Sequence, residues 1–238
     1  MTRMNRLSTL LVALATSFLA ACTTAPMASG SAAGAVMTKE SQAAMSADAA
    51  LQRLRDGNQR FASGQMAVRD LKMQVKATGY GQYPLATVVS CIDSRAAPEL
   101  VFDQGVGDVF SVRVAGNFVN EDMLGSLEFA SKVAGARLIV VLGHSSCGAI
   151  KGACDNVVMG NLTAMLKNIQ PAVQSVSYSG DRSSKNDQFV EMVAEANVRR
   201  TVQDILRRSP VLKEMVDRGE VRVVGAMLDV KTGLVNFY

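Results

Sequence analysis

Tryptophan is absent from the 238 residues, histidine occurs once, and aromatic residues make up only 5% and charged residues 19%. The single histidine rules out a metal site built from three imidazoles and leaves no second imidazole to shuttle protons. The scarce charge forms no basic run. Formal net charge is +4, and setting aside Arg3 and Arg6 of the opening segment leaves +2 spread over the rest, which gives no nucleic-acid footprint. No apolar run is long enough for a comfortable membrane span; that from Leu7 to Ala20 falls short. What is plentiful is apolar residue, 48% of the chain, enough to bury a sizeable core in one domain.

The segment Met1 to Ala21 has a basic start, an apolar centre and small residues before Cys22, which is the pattern of an export signal. Leu19-Ala20-Ala21-Cys22 resembles the lipobox of bacterial lipoproteins, and the resemblance implies a lipid anchor at Cys22 as the only membrane attachment. Thr23 follows the cysteine in place of the aspartate that commonly retains such proteins in the inner membrane. The expected location is therefore periplasmic, on the outer membrane. Residues 22–47 are rich in Ala, Ser, Thr, Gly and Met without periodicity and read as a flexible tether, leaving 48–238 as the folded domain.

Setting aside Cys22, the cysteines are Cys91, Cys147 and Cys154, an odd number that a disulfide framework does not explain. Cys154 reads as a small apolar helix residue. Helical spacing predicts a helix from Ser46 to Gly64, a short one from Val68 to Thr78, and others at Pro98–Asp103, Glu121–Val133, Ala149–Asp155 and Asn161–Ser175, with Pro171 ending or kinking the last. A long helix follows from Asp187 to Arg208. Strands are expected at Leu85–Ser90, Val109–Val114, Leu138–Leu142 and Val221–Leu228, with an extended piece at Leu234–Tyr238. Alternating strands and helices predict an α/β fold: a central, mostly parallel sheet of four strands plus a C-terminal extension, flanked by helices, with an N-terminal helical arm.

Two apolar strands end in reactive groups. Val88 to Arg95 reads V-V-S-C-I-D-S-R, and Arg137 to Gly148 reads R-L-I-V-V-L-G-H-S-S-C-G. Zinc in a catalytic site takes three nitrogen or sulfur ligands and keeps one position open, a set that Cys91, His144 and Cys147 supply. Gly143 and Gly148 are expected to permit the tight turn that aims His144 and Cys147 at one ion. Two thiolates acidify a bound water less than three histidines do, so a helper is needed. Asp93 is placed to accept from that water while Arg95 clamps its carboxylate; alternatively Asp93 becomes a fourth ligand and closes the centre.

C-I-D-S-R at 91–95, with H-S-S-C at 144–147 and G-D-V-F and R-V-A-G-N between them, resembles the β-class carbonic anhydrases from roughly Leu51 to the C-terminus. The resemblance implies one Zn2+ per subunit, carbon dioxide and bicarbonate as substrates, hydroxide on the metal as nucleophile, and a homodimer or tetramer of dimers. Gln82, Phe110 and Gly148 are the implied substrate contacts, with carbon dioxide beside Phe110 and Val88. With no tryptophan, the chain resembles the plant-like subtype, in which Arg95 holds Asp93 off the metal. It departs from the family at Ala115, usually valine, and Phe129, often tyrosine. Two other functions fit the same ligands: hydrolysis of carbon disulfide or carbonyl sulfide, and a non-catalytic lipoprotein stabilised by zinc.

Overall fold

The computed structural model describes Ala35–Tyr238; the export signal, the lipobox and Cys22 lie outside the described residues. Strands β1 (Ala86–Ser90), β2 (Val109–Arg113), β3 (Leu138–His144), β4 (Arg222–Leu228) and β5 (Val235–Phe237) form one sheet in the order β2-β1-β3-β4-β5. The first four are parallel, and β5 turns back antiparallel onto β4. This is the mostly parallel α/β architecture expected. All residues of β1 and β3 are buried, which is why both strands read as unbroken apolar runs and not as alternating ones.

Alternation nevertheless divides the two faces. Ala86, Val88, Leu138, Val140 and Val224 meet Leu51 and Leu54 of α2 (Ala47–Ala62) and Val101 of α4 (Pro98–Val101). Val89, Ile139 and Val141 face Phe189, Val193 and Val198 of α9 (Asp187–Arg208), Ile150 of α6 (Gly148–Cys154) and Leu212 of α10 (Pro210–Asp217). Val88 is fully buried with Leu54 and Phe102, so it does not line an open pocket as expected. Among the described residues no helix is long and apolar enough to cross a membrane.

Several local expectations shift for identifiable reasons. Within the described part of the expected tether, Lys39–Ala44 forms a helix, α1, with a capping box between Thr38 and Ser41. It is pinned by Gln42, whose buried amide donates to the carbonyls of Pro84 (2.8 Å) and Ala134 (2.9 Å). Helix α3 (Leu71–Thr78) starts three residues later than expected, where Asp70 caps the Met73 N–H. The single helix expected over Asn161–Ser175 is two, α7 (Gly160–Leu166) and α8 (Gln170–Ser175), and Pro171 sits in the first turn of α8. Proline costs nothing there, because the missing N–H has no helical acceptor. Helix α10 was not expected; Ser209 caps it and Pro210 opens it by the same logic. Helix α5 (Glu121–Glu128) runs on into a π-helical turn at Phe129–Val133 before Gly135 reverses the chain at φ 82°.

Candidate metal centre

The register of the parallel strands brings the reactive ends together. Ser90 pairs with Leu142, so Cys91 emerges from β1 beside the last residues of β3, where His144 ends the strand. A two-residue turn then leads to Cys147, which precedes the first turn of α6. The left-handed residue of that turn is Ser146 (φ 55°), not a glycine, a conformation that costs a non-glycine residue about 1 kcal/mol or more. Gly143 serves a different need from the one expected. A Cβ there would sit 2.5 Å from Val198 Cγ2 and 2.7 Å from Met227 Sδ, so its role is close packing of β3 against α9 and β4. Gly148 has open space about it.

Cys91 Sγ and Cys147 Sγ lie 4.0 Å apart, twice the length of a disulfide and close to the separation of two sulfurs on one tetrahedral ion. The ligand atoms of Cys91, His144 and Cys147 all lie within 4.8 Å of one another, and all three residues are buried. His144 Nδ1 lies 2.9 Å from the Ser145 carbonyl, which makes Nδ1 the protonated nitrogen and leaves the Nε2 lone pair facing the sulfurs. Nε2 is buried without a hydrogen-bond partner. A buried orphan acceptor beside two thiols is a costly arrangement that a divalent cation resolves, and the sulfur and nitrogen donors suit zinc.

The electrostatics point the same way. The Cys91 thiol is pushed down, chiefly because Cys147 donates to it, with further help from His144 and the Gly116 N–H. Cys147 is pushed up by that same sharing and by burial. The two thiols thus share a proton, which a divalent cation held by both sulfurs would displace to solvent. Burial opposes the His144 cation, but the Cys91 thiolate and Asp93 outweigh it and raise the imidazole.

Asp93 is held by Arg95 through three contacts: Nε to Oδ1 at 3.0 Å, Nη2 to Oδ2 at 2.8 Å, and the Arg95 N–H to Oδ1 at 2.9 Å. That fork keeps the carboxylate ionised well below its usual range. Its Oδ2 stands 3.9 Å from His144 Nε2, beside the three-ligand cluster and not within it.

The other expected contacts separate. Gly148 adjoins Cys147, but Gln82 is exposed and precedes the start of β1, while Cys91 follows its end, with five extended residues of roughly 16 Å between them. Phe110 lies on edge strand β2, paired with Thr87 near the start of β1, and with Phe129 it lines a groove of about 640 Å³ that none of the three ligands reaches. Cys154 is buried in α6, its thiol pushed up to about 11 by burial, an inert side chain.

Three positioning residues had no role assigned from the sequence. Arg113 donates to the carbonyls of Cys91 (2.9 Å) and Asp93 (2.7 Å), bracing the segment that carries both. The Gly116 N–H points at Cys91 Sγ at 3.5 Å. Asn197 of α9, 1% exposed, donates to the Gly116 carbonyl at 2.7 Å and fixes that loop. The signal for Asn197 was available: it is an amide on the apolar stripe between Val193, Ala194 and Val198.

Comparison with known proteins agrees with this geometry. A family model described as carbonic anhydrase matches residues 86–235. The chain is 35% identical over 191 residues to carbonic anhydrase 2 of Mycobacterium tuberculosis, covering 78% of this chain and 89% of that one. It is 35% identical over 193 residues to a carbonic anhydrase of Mycolicibacterium smegmatis, covering 79% and 91%. Among solved structures, the β-carbonic anhydrase CcaA superposes with a TM-score of 0.63 at 25% identity, covering 79% of this chain and 87% of that one. The β-carbonic anhydrase CafA of Aspergillus fumigatus gives 0.60 at 25%, covering 80% and 89%.

Proposed function

We propose, for a chain that belongs to the β-class carbonic anhydrase family, that carbon dioxide hydration runs where Cys91, His144 and Cys147 converge and that a second copy completes the substrate pocket. The chain is a lyase that interconverts carbon dioxide and bicarbonate, with zinc as its cofactor. The observation that carries this is the convergence of two thiols and one orphaned imidazole nitrogen at the ends of two parallel strands. Zinc, when bound, supplies the Lewis acidity that makes water a nucleophile near neutral pH.

The protein's own groups do the rest. Arg95 keeps Asp93 ionised and fixes its plane, and Oδ2, which takes one of the three bonds, keeps a lone pair to accept a hydrogen bond from water at the centre. Arg113 and the Gly116 N–H hold the Cys91 segment so that neither sulfur nor carboxylate drifts. With no second histidine, the released proton passes to buffer.

A second copy is needed because the remaining expected groups lie elsewhere. Strand β2 is an open edge carrying Phe110 and Val112, flanked by Phe129 (54% exposed) and Val133 (71% exposed). On the other side of the Ser111–Glu99 hydrogen bond, Leu71, Leu100 and Val106 form a further apolar patch. An unprotected edge with apolar surface on both sides suits pairing with another chain. The partner then presents its Gln82 and Phe110 toward this centre, in a homodimer or a tetramer of dimers. Export and lipidation at Cys22, with a periplasmic, outer-membrane location, rest on the opening residues.

Stopped-flow carbon dioxide hydration on zinc-loaded protein tests the reaction, with sulfide release from carbon disulfide and carbonyl sulfide measured alongside. Hydration that exceeds sulfide release and vanishes in Cys91→Ser is expected; zinc-independent hydration, or sulfide release as the main activity, overturns it. Labelled fatty-acid incorporation that Cys22→Ala abolishes tests the anchor, and incorporation unaffected by that change contradicts it.

A further inference from the structure

On α9, Asn197, Arg200, Thr201, Asp204 and Arg208 recur at three- and four-residue intervals, so one face of the helix carries them all. That face, with Phe118 and Val119 on one side and Lys167 and Pro171 on the other, encloses a cavity of about 280 Å³. Four cations, Lys167, Arg200, Arg207 and Arg208, line it against the single carboxylate of Asp204. Asp204 engages Arg207 at 2.7 Å and Arg200 at 3.5 Å. Arg208 donates only to the Val119 carbonyl at 2.8 Å, and Lys167 has no ion pair among the described residues. The negative end of the α9 dipole accounts for Arg207 and Arg208. It does not account for Arg200, two turns back, or for Lys167, which comes from a different element.

We propose that this cavity binds a phosphate-class dianion, inorganic phosphate or a small phosphoester. Guanidinium groups match tetrahedral oxyanions through paired N–H donors, and a concave site with a net excess of positive charge concentrates a doubly charged ligand more than a monoanion. Thr201, which lines the same wall, adds a neutral hydroxyl donor. The volume holds a phosphate with a few carbons attached. The site is separate from the metal centre, although Asn197 in its wall stands two hydrogen bonds from the Cys91 sulfur.

The test is calorimetric titration of the zinc-loaded chain with inorganic phosphate, then with glycerol phosphate, at ionic strength fixed by chloride. Saturable binding of one ligand per chain is expected, weakened about tenfold or more in Lys167→Gln/Arg207→Gln. Both side chains are exposed, so the double variant keeps its melting temperature and its hydration rate. Tighter binding of glycerol phosphate assigns a phosphoester, and equal binding assigns free phosphate. Absence of saturable binding, or binding unchanged in the double variant and hence located away from this cavity, overturns the proposal. Neither result depends on carbon dioxide turnover.

Discussion

The ends of β1 and β3 and the outer edge of β2 belong to one sheet, yet they are built in opposite ways. At the strand ends, the three ligand side chains Cys91, His144 and Cys147 are buried, and their surroundings are fixed by contacts from within the same chain: Ser145 to His144, Gly116 to Cys91, Asn197 to Gly116. At the edge, Phe129 lies open, Phe110 is half-buried, and Gln82 has solvent about it. The first region is complete in one chain. The second is an open surface, and under the proposed reading the single chain binds the metal while a second copy confines the substrate.

The sharpest way to break this contrast is at the centre. Cys91→Ser is expected to lose zinc and to lower hydration by about 1000-fold or more, measured by metal analysis with stopped flow. Next comes the edge. Phe129→Arg/Val133→Asp, both at exposed positions, is expected to give a monomer by sedimentation velocity that keeps its zinc yet hydrates carbon dioxide about 100-fold more slowly. Full activity in a monomer would erase the distinction. A smaller effect is expected at the support. Asn197→Leu leaves the Gly116 carbonyl unpaired, and zinc affinity, read by chelator competition, should fall about 10-fold while saturating zinc restores hydration.

A fourth change lies away from both regions. Asp103 is fully buried at φ 45°, paired with Arg60 (2.5 Å) and Arg69 and accepting from the Ala67 N–H at 3.1 Å. Burial would raise its carboxyl, but the two guanidinium groups prevail and lower it. A folded value below the unfolded one near 3.9 contributes stability that is present above about pH 4 and lost as pH falls through the lowered value. Asp103→Asn should cost about 3 kcal/mol at pH 7, flatten the acid limb of the melting profile, and leave zinc content untouched.

What could be read from the chain follows from where each determinant resides. Helix α9 was bounded correctly because Asn186 caps one end and Pro210 closes the other, both local signals. The ligands were legible for the same reason: Cys91 and His144 stand at the ends of apolar strands, Cys147 follows His144 by three residues, and parallel strands bring such ends together. Helix α1 was not, because its Ala- and Ser-rich segment has no apolar period and its anchor, Gln42, reaches carbonyls 42 and 92 residues away. Pro171 misled because the same residue that ends a helix also opens one. The separation of Gln82 and Phe110 from the centre depends on strand register, which no spacing along one sequence encodes.

The most direct measurement is zinc K-edge X-ray absorption on the purified protein. Two sulfur scatterers at about 2.3 Å and one imidazole nitrogen at about 2.0 Å per zinc are expected, with one sulfur lost in Cys147→Ser. A shell of oxygen and nitrogen alone, or one unchanged by that substitution, would contradict a centre formed by Cys91, His144 and Cys147.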